Sequence, residues 1–195
     1  RIRPAKSSRA GQEARMTSTV TTGLWQRFDH AEHALCLSVN RGCHYVPARR
    51  LFVTVSRLGD GILWYVLMLA FALSGPQGAF VAAQMAVAGL AGTALYRQLK
   101  HHLVRERPFI SYSSIQSGTT PLDRYSFPSG HTLHAVSFTL IATTHVPELA
   151  LLLVPFALLV AASRVVLGLH YPTDVLAGAA IGAAFARAVV SFWPV

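Results

Sequence analysis

Acidic residues are scarce in this chain, with eight Asp and Glu among 195 residues. They are Glu13, Asp29, Glu32, Asp60, Glu106, Asp123, Glu148 and Asp174, with no DxD motif or paired-acid cluster to cage Mg²⁺. No metal and no other cofactor is expected. Cysteine is scarcer still: Cys36 and Cys43 fit neither a CxxC pattern nor a zinc spacing and read as free structural residues. Charge of either sign is low, at 13% of residues, about half the share in a typical soluble domain.

Apolar residues fill the space those absences leave. They make up 52% of the chain, mean hydropathy is +0.42, and they gather in long runs that a small soluble core could not absorb. A membrane protein is expected. The net charge of +9 does not indicate nucleic acid. Arg1, Arg3, Lys6, Arg9 and Arg15 crowd the start, while Arg49, Arg50, Lys100, Arg105 and Arg107 flank apolar segments. Basic residues so placed mark topology or contact with anionic headgroups.

The chain opens on Arg and its first methionine is Met16. Residues 1–15 lack an apolar h-region and a small-residue cleavage site, so no removable signal peptide is expected. Residues 1–22 are polar and basic and are expected to be disordered. Residues 23–195 should form one membrane-embedded domain. From Leu24 to Asn40 apolar residues recur at helical spacing among Arg27, Asp29, His30, Glu32 and His33, the pattern of an amphipathic helix on a membrane surface.

About five spans follow, giving an all-α, multi-span transmembrane helix bundle. They run from Leu51 to Ser74, Ala79 to Leu99, Ser129 to Pro147, Glu148 to Leu169, and Pro172 or Asp174 to Trp193. Pro155 can kink the fourth. Gly178 and Gly182 form a GxxxG pair in the fifth, able to pack within one chain or between two, so the oligomeric state stays open. A polar stretch, Lys100 to Pro128, separates the second span from the third. Alternating direction brings Lys100, Ser129-Gly130-His131, Arg164, His170 and Asp174 to one side of the membrane. Fixed cations and a helix N-terminus there suit a phosphate, and two histidines offer a nucleophile and a proton donor.

Lys100 through Arg107-Pro108 reads K-x6-R-P, Pro128 to His131 reads P-S-G-H, and Ser163-Arg164 through His170 to Asp174 reads S-R-x5-H-x3-D. Together, over roughly residues 51–190, they resemble the type 2 phosphatidic acid phosphatases, a family that shares its site with the vanadium haloperoxidases. The resemblance implies that His170 attacks phosphorus to form a phosphohistidine, that Asp174 holds the other imidazole nitrogen, and that His131 protonates the leaving oxygen and then activates water. It implies that Lys100, Arg107, Arg164, Ser129 and the Gly130 amide bind the phosphoryl oxygens.

The expected partners are the bilayer and a lipid phosphate, first undecaprenyl diphosphate, then phosphatidylglycerol phosphate or phosphatidate. A vanadate-dependent haloperoxidase or a catalytically silent lipid-phosphate-binding protein would use the same pocket. Family habit places the site on the periplasmic face of a bacterial inner membrane, whereas the positive-inside rule points to the cytoplasm. Outside the motifs, His101 and His102 read as solvated, His134 as a packing neighbour of His131, Asp60 as a turn or helix-end residue, and Trp25, Trp64 and Trp193 as membrane-interface residues.

Overall fold

Long apolar stretches punctuated by Pro and Gly give a helical protein. The computed structural model describes residues 29–120 and 123–194 and divides the chain into two compact units, Arg1–Leu35 and Cys36–Val195. The segment 1–22, residues 24–28 of the expected amphipathic helix and Trp25 lie outside the described residues. Residues 29–40 are helical (α1).

Within the second unit the helices are α2 (Val46–Arg57), α3 (Leu63–Leu73), α4 (Pro76–His102), a short α5 (Pro108–Ser111), α6 (Gly130–His145), α7 (Ala150–Val166) and α8 (Pro172–Phe192). Proline opens α4 and α8, where a missing N–H costs nothing. Among the described residues there is no strand, and a lone bridge pairs Glu106 with Tyr125.

Among the described residues four segments are long and apolar enough to cross a membrane: Val46–Leu73, Pro76–His102, Pro147–Val166 and Pro172–Phe192. The remaining expected span is α6, whose 16 residues reach about 24 Å, short of a hydrocarbon core of about 30 Å. Its place is central, with Leu133, Ala135, Ile141 and Ala142 fully buried. The outer helices do the opposite: Leu151 is 88% exposed, and Leu69, Leu158 and Leu176 are also turned outward. Such a surface suits lipid and not water.

Trp64 departs from its expected place at the membrane interface. It is buried in the main core against Phe138 and Phe156, and its indole N–H donates to the Gly59 carbonyl at 3.1 Å. The interior partner satisfies the polar edge that would otherwise favour the interface. Cys36 and Cys43 are both buried.

The GxxxG pair works inside the chain. A Cβ on Gly178 would lie 2.5 Å from the Ser129 carbonyl oxygen, and one on Gly182 would lie 2.3 Å from that of Leu133. Helix α8 therefore packs directly on the backbone of α6, and the amide of Ser129 donates to the Asp174 carbonyl at 3.0 Å. The starts of these two helices are stitched together, which sets the frame of the polar site.

Candidate active site

One cavity of about 470 Å³ collects the polar helix ends. Lys100 arrives from the end of α4, Arg107 from the loop after it, Gly130 and His131 from the start of α6, Arg164 from the end of α7 and His170 from the α7–α8 turn. Six of the eight residues singled out from sequence thus line a single space. Asp174 stands behind His170, fully buried. Ser129 is also buried, with its hydroxyl against that of Thr132 at 3.0 Å, so its side chain serves the helix start while Gly130 faces the cavity.

The α7–α8 turn aims His170. Gly168 adopts φ 70°, a left-handed conformation natural to glycine after a helix C-terminus, and the Leu169 and His170 amides both return to the Arg164 carbonyl. The imidazole is contacted by Arg107 at one nitrogen, while the other, Nδ1, is buried without a hydrogen-bond partner. Arg107 Nη1 lies 3.3 Å from Nε2, and the Asp174 carboxylate lies 3.7 Å from Nδ1, longer than a formed hydrogen bond. A donor at Nε2 and an acceptor facing Nδ1 favour the tautomer with Nε2 unprotonated, its lone pair turned toward Arg107. Burial first, then the charges of Arg164, Arg107 and Lys100, hold the imidazole well below its ordinary pKa, which favours its neutral form.

Asp174 is itself clamped. One oxygen accepts the Tyr171 amide at 2.8 Å, and the other accepts Arg105 Nη1 at 2.8 Å. Arg105 also bonds the Thr173 hydroxyl and sits 3.9 Å over the Tyr171 ring. Sequence reasoning left Arg105 as a flanking charge, although its place two residues before Arg107 was a usable signal.

Asp123 was not foreseen either. It pairs with Lys100 at 2.7 Å and with Arg107 at 2.7 Å, and its carbonyl takes Arg107 Nε–H at 2.8 Å. Partial burial opposes its ionisation, but the Lys100 and Arg107 hydrogen bonds outweigh that and hold it below the usual carboxylate range. His134 packs as expected, stacked on Phe138 and hydrogen-bonded near Thr93 and Gly89. His101 and His102 are exposed. Among the described residues no three His, Cys, Asp or Glu side chains group as metal ligands.

Arg164 keeps an unspent donor at the cavity. Its Nη1 bonds the Ser56 hydroxyl, while its buried Nε has no hydrogen-bond partner. An Arg164→Gln change should lower kcat/KM for phosphate release about 100-fold and weaken inhibition by orthophosphate. Arg164→Lys should recover little, because a point charge does not reproduce the guanidinium fork. Thermal melts of both variants separate this loss from misfolding.

A membrane-embedded helical bundle with a cationic, two-histidine cavity at its helix ends is the class defined by this fold and site. The family model of the PAP2 superfamily matches residues 77–195, and the chain belongs to that superfamily. It is 39% identical over 127 residues to the decaprenylphosphoryl-5-phosphoribose phosphatase of Mycolicibacterium smegmatis, a match spanning 59% of this chain and 62% of that protein. Its counterpart in Mycobacterium tuberculosis is 31% identical over 142 residues, 66% of this chain and 71% of that one. Two solved structures share the fold. The PAP2-type phosphatidylglycerolphosphate phosphatase of Bacillus subtilis aligns with TM-score 0.69 and 23% identity over 85% of this chain and 86% of its own. LpxE of Aquifex aeolicus aligns with TM-score 0.69 and 24% identity over 81% and 93%.

Proposed function

We propose that this protein is a metal-independent lipid phosphatase that releases phosphate from an isoprenoid-linked phosphate ester through a phosphohistidine on His170. The observation that carries this reading is the convergence of residues from three separate motifs on one cavity. That cavity also has an apolar limb. Its lining continues through Met68 and Tyr65 on α3 and Ala86 and Leu90 on α4, and Tyr65 and Leu90 are exposed on the outer surface. A phosphate can sit at the cationic end while its hydrocarbon chain leaves between α3 and α4.

In the first step Nε2 of His170 attacks phosphorus in line, the bond from phosphorus to the leaving oxygen breaks, and His131 gives that oxygen a proton. Lys100, Arg107, Arg164 and the first amides of α6 stabilise the charge spread over the equatorial oxygens. In the second step His131 takes a proton from water, whose oxygen displaces the imidazole and frees phosphate. Arg107 and Lys100 must exchange part of their bonding to Asp123 for the substrate. Neutralisation by Lys and Arg takes the role that a divalent ion would otherwise play.

The two mycobacterial relatives are named for decaprenylphosphoryl-5-phosphoribose, which supports a polyprenyl-linked sugar phosphate ahead of undecaprenyl diphosphate as the substrate here. We place the site on the periplasmic face of the inner membrane. Lys100, Arg107 and Arg164 line the cavity and phosphate chemistry requires them there on either face, so they carry little weight in the positive-inside count.

The test is phosphate release by detergent-purified protein in excess EDTA, from decaprenylphosphoryl-5-phosphoribose, undecaprenyl diphosphate, phosphatidylglycerol phosphate and phosphatidate. Release that survives EDTA, is fastest with the phosphoribose lipid and persists in sealed right-side-out vesicles is expected. Binding without release would support a silent lipid-phosphate-binding protein, and halide oxidation by hydrogen peroxide on adding vanadate would support a haloperoxidase.

A further inference from the structure

Gly59-Asp60-Gly61 interrupts the first span. The backbone from Leu58 to Ile62 widens into a π-type turn, with Asp60 at φ −82°, ψ 17° and Gly61 at φ 130°. The turn is built in, because Trp64 donates to the Gly59 carbonyl at 3.1 Å and a Cβ on Gly59 would meet Val160 at 2.6 Å. Irregular backbone within a span is tolerated where it lines a cavity, and π-type turns cluster at functional sites. What this one achieves is to bring a carboxylate into the site. Asp60 lines the cavity, and its Oδ1 lies 3.0 Å from His131 Nε2.

The three carboxylates around the cavity have different duties. Asp174 is fully buried on Arg105, and Asp123 is spent on Lys100 and Arg107. Among the described residues Asp60 forms no ion pair with Lys or Arg, and its side chain remains 49% exposed. Resting on the proposed phosphatase function, we infer that Asp60 reads the leaving group. A leaving oxygen that takes its proton from His131 Nε2 must displace Asp60 Oδ1 from that single N–H, which leaves the carboxylate beside it. The groups next to that oxygen then meet the carboxylate.

An ionised carboxylate can accept hydrogen bonds but donate none. It rewards a leaving group with neighbouring hydroxyls, such as a sugar or glycerol. It gains nothing from an acylated diglyceride, whose neighbouring oxygens carry no hydrogen. It repels the leaving group of a diphosphate, which is itself an anionic phosphate. Asp60 therefore selects hydroxylated phosphomonoesters over polyprenyl diphosphates.

The full-length protein in detergent would be assayed on ribose 5-phosphate, tetrahydrofurfuryl phosphate (the same ring without hydroxyls) and farnesyl diphosphate. The wild type should favour ribose 5-phosphate over tetrahydrofurfuryl phosphate by about tenfold or more in kcat/KM, the scale of a hydrogen bond to a charged group. Asp60→Ala should bring that ratio close to one. The isosteric Asp60→Asn should raise farnesyl diphosphate relative to ribose 5-phosphate by about tenfold. Ratios within one preparation are independent of how much of it is folded. Equal slowing of all three substrates would make Asp60 a support for His131 alone and overturn the inference, as would unchanged ratios. A wild-type protein that hydrolyses none of the three but releases phosphate from the lipid substrates above would overturn this inference alone, and one that releases none from either set would overturn the phosphatase reading with it.

Discussion

Replacing His170 by alanine is expected to reduce phosphate release by about 10⁴-fold or more, the scale on which enzymes lose a covalent nucleophile. The expectation follows from how the side chain is held. It is 1% exposed, carried on a turn closed by Gly168, and set between Arg107 on one nitrogen and Asp174 on the other. Burial and three nearby cations favour its neutral form, so a fall in rate between pH 7 and 6 should not come from protonation of the nucleophile. Binding should survive the substitution, because Lys100, Arg107, Arg164 and the α6 amides are untouched. Equilibrium binding of the lipid measured beside turnover checks this. A variant that loses turnover and keeps its affinity within a few-fold is the expected result.

Gly182→Val should damage the fold more than any single change in the site. The first added carbon would stand 2.3 Å from the Leu133 carbonyl oxygen, and neither backbone can yield without separating α8 from α6. Overpacking of this kind costs about 3 kcal/mol, or roughly a 10 °C fall in Tm for a domain of this size. Because the Ser129 amide is bonded to the Asp174 carbonyl, the same displacement would pull Gly130 and His131 away from His170. Activity at permissive temperature should therefore fall together with Tm. Gly75 offers the contrast. A Cβ there would meet nothing within 4 Å, so its substitution should cost little beyond the strain of its φ of 113°.

Much of this site is legible in the sequence because its residues sit at helix ends, and helix ends are marked by Pro, Gly and changes in polarity. Pro128-Ser129-Gly130 announces the start of α6, and Leu167-Gly168 the close of α7. Once spans alternate in direction, Lys100, His131, Arg164 and His170 must share a face. Asp60 shows where that reasoning stops. Between two glycines it resembles a turn, and its partner His131 lies 71 positions on, across a helix contact whose rotation no local pattern reveals. Asp123 is hidden for a related reason. It lies in an irregular loop where no periodicity orients a side chain, and its meaning depends on two cations from different segments. Trp64 was expected at the interface on composition alone, whereas the widened turn before it supplies an interior acceptor for its N–H.

The central claim is a covalent phosphohistidine on His170, and rapid quenching tests it most directly. Protein mixed with a ³²P-labelled lipid phosphate in EDTA, stopped in alkali within milliseconds and digested, should yield acid-labile label on the peptide that contains His170. That label should appear and decay at rates compatible with turnover. Steady turnover with no label on that peptide at any time, and with inversion of configuration at phosphorus, would show that water attacks directly and would contradict the account.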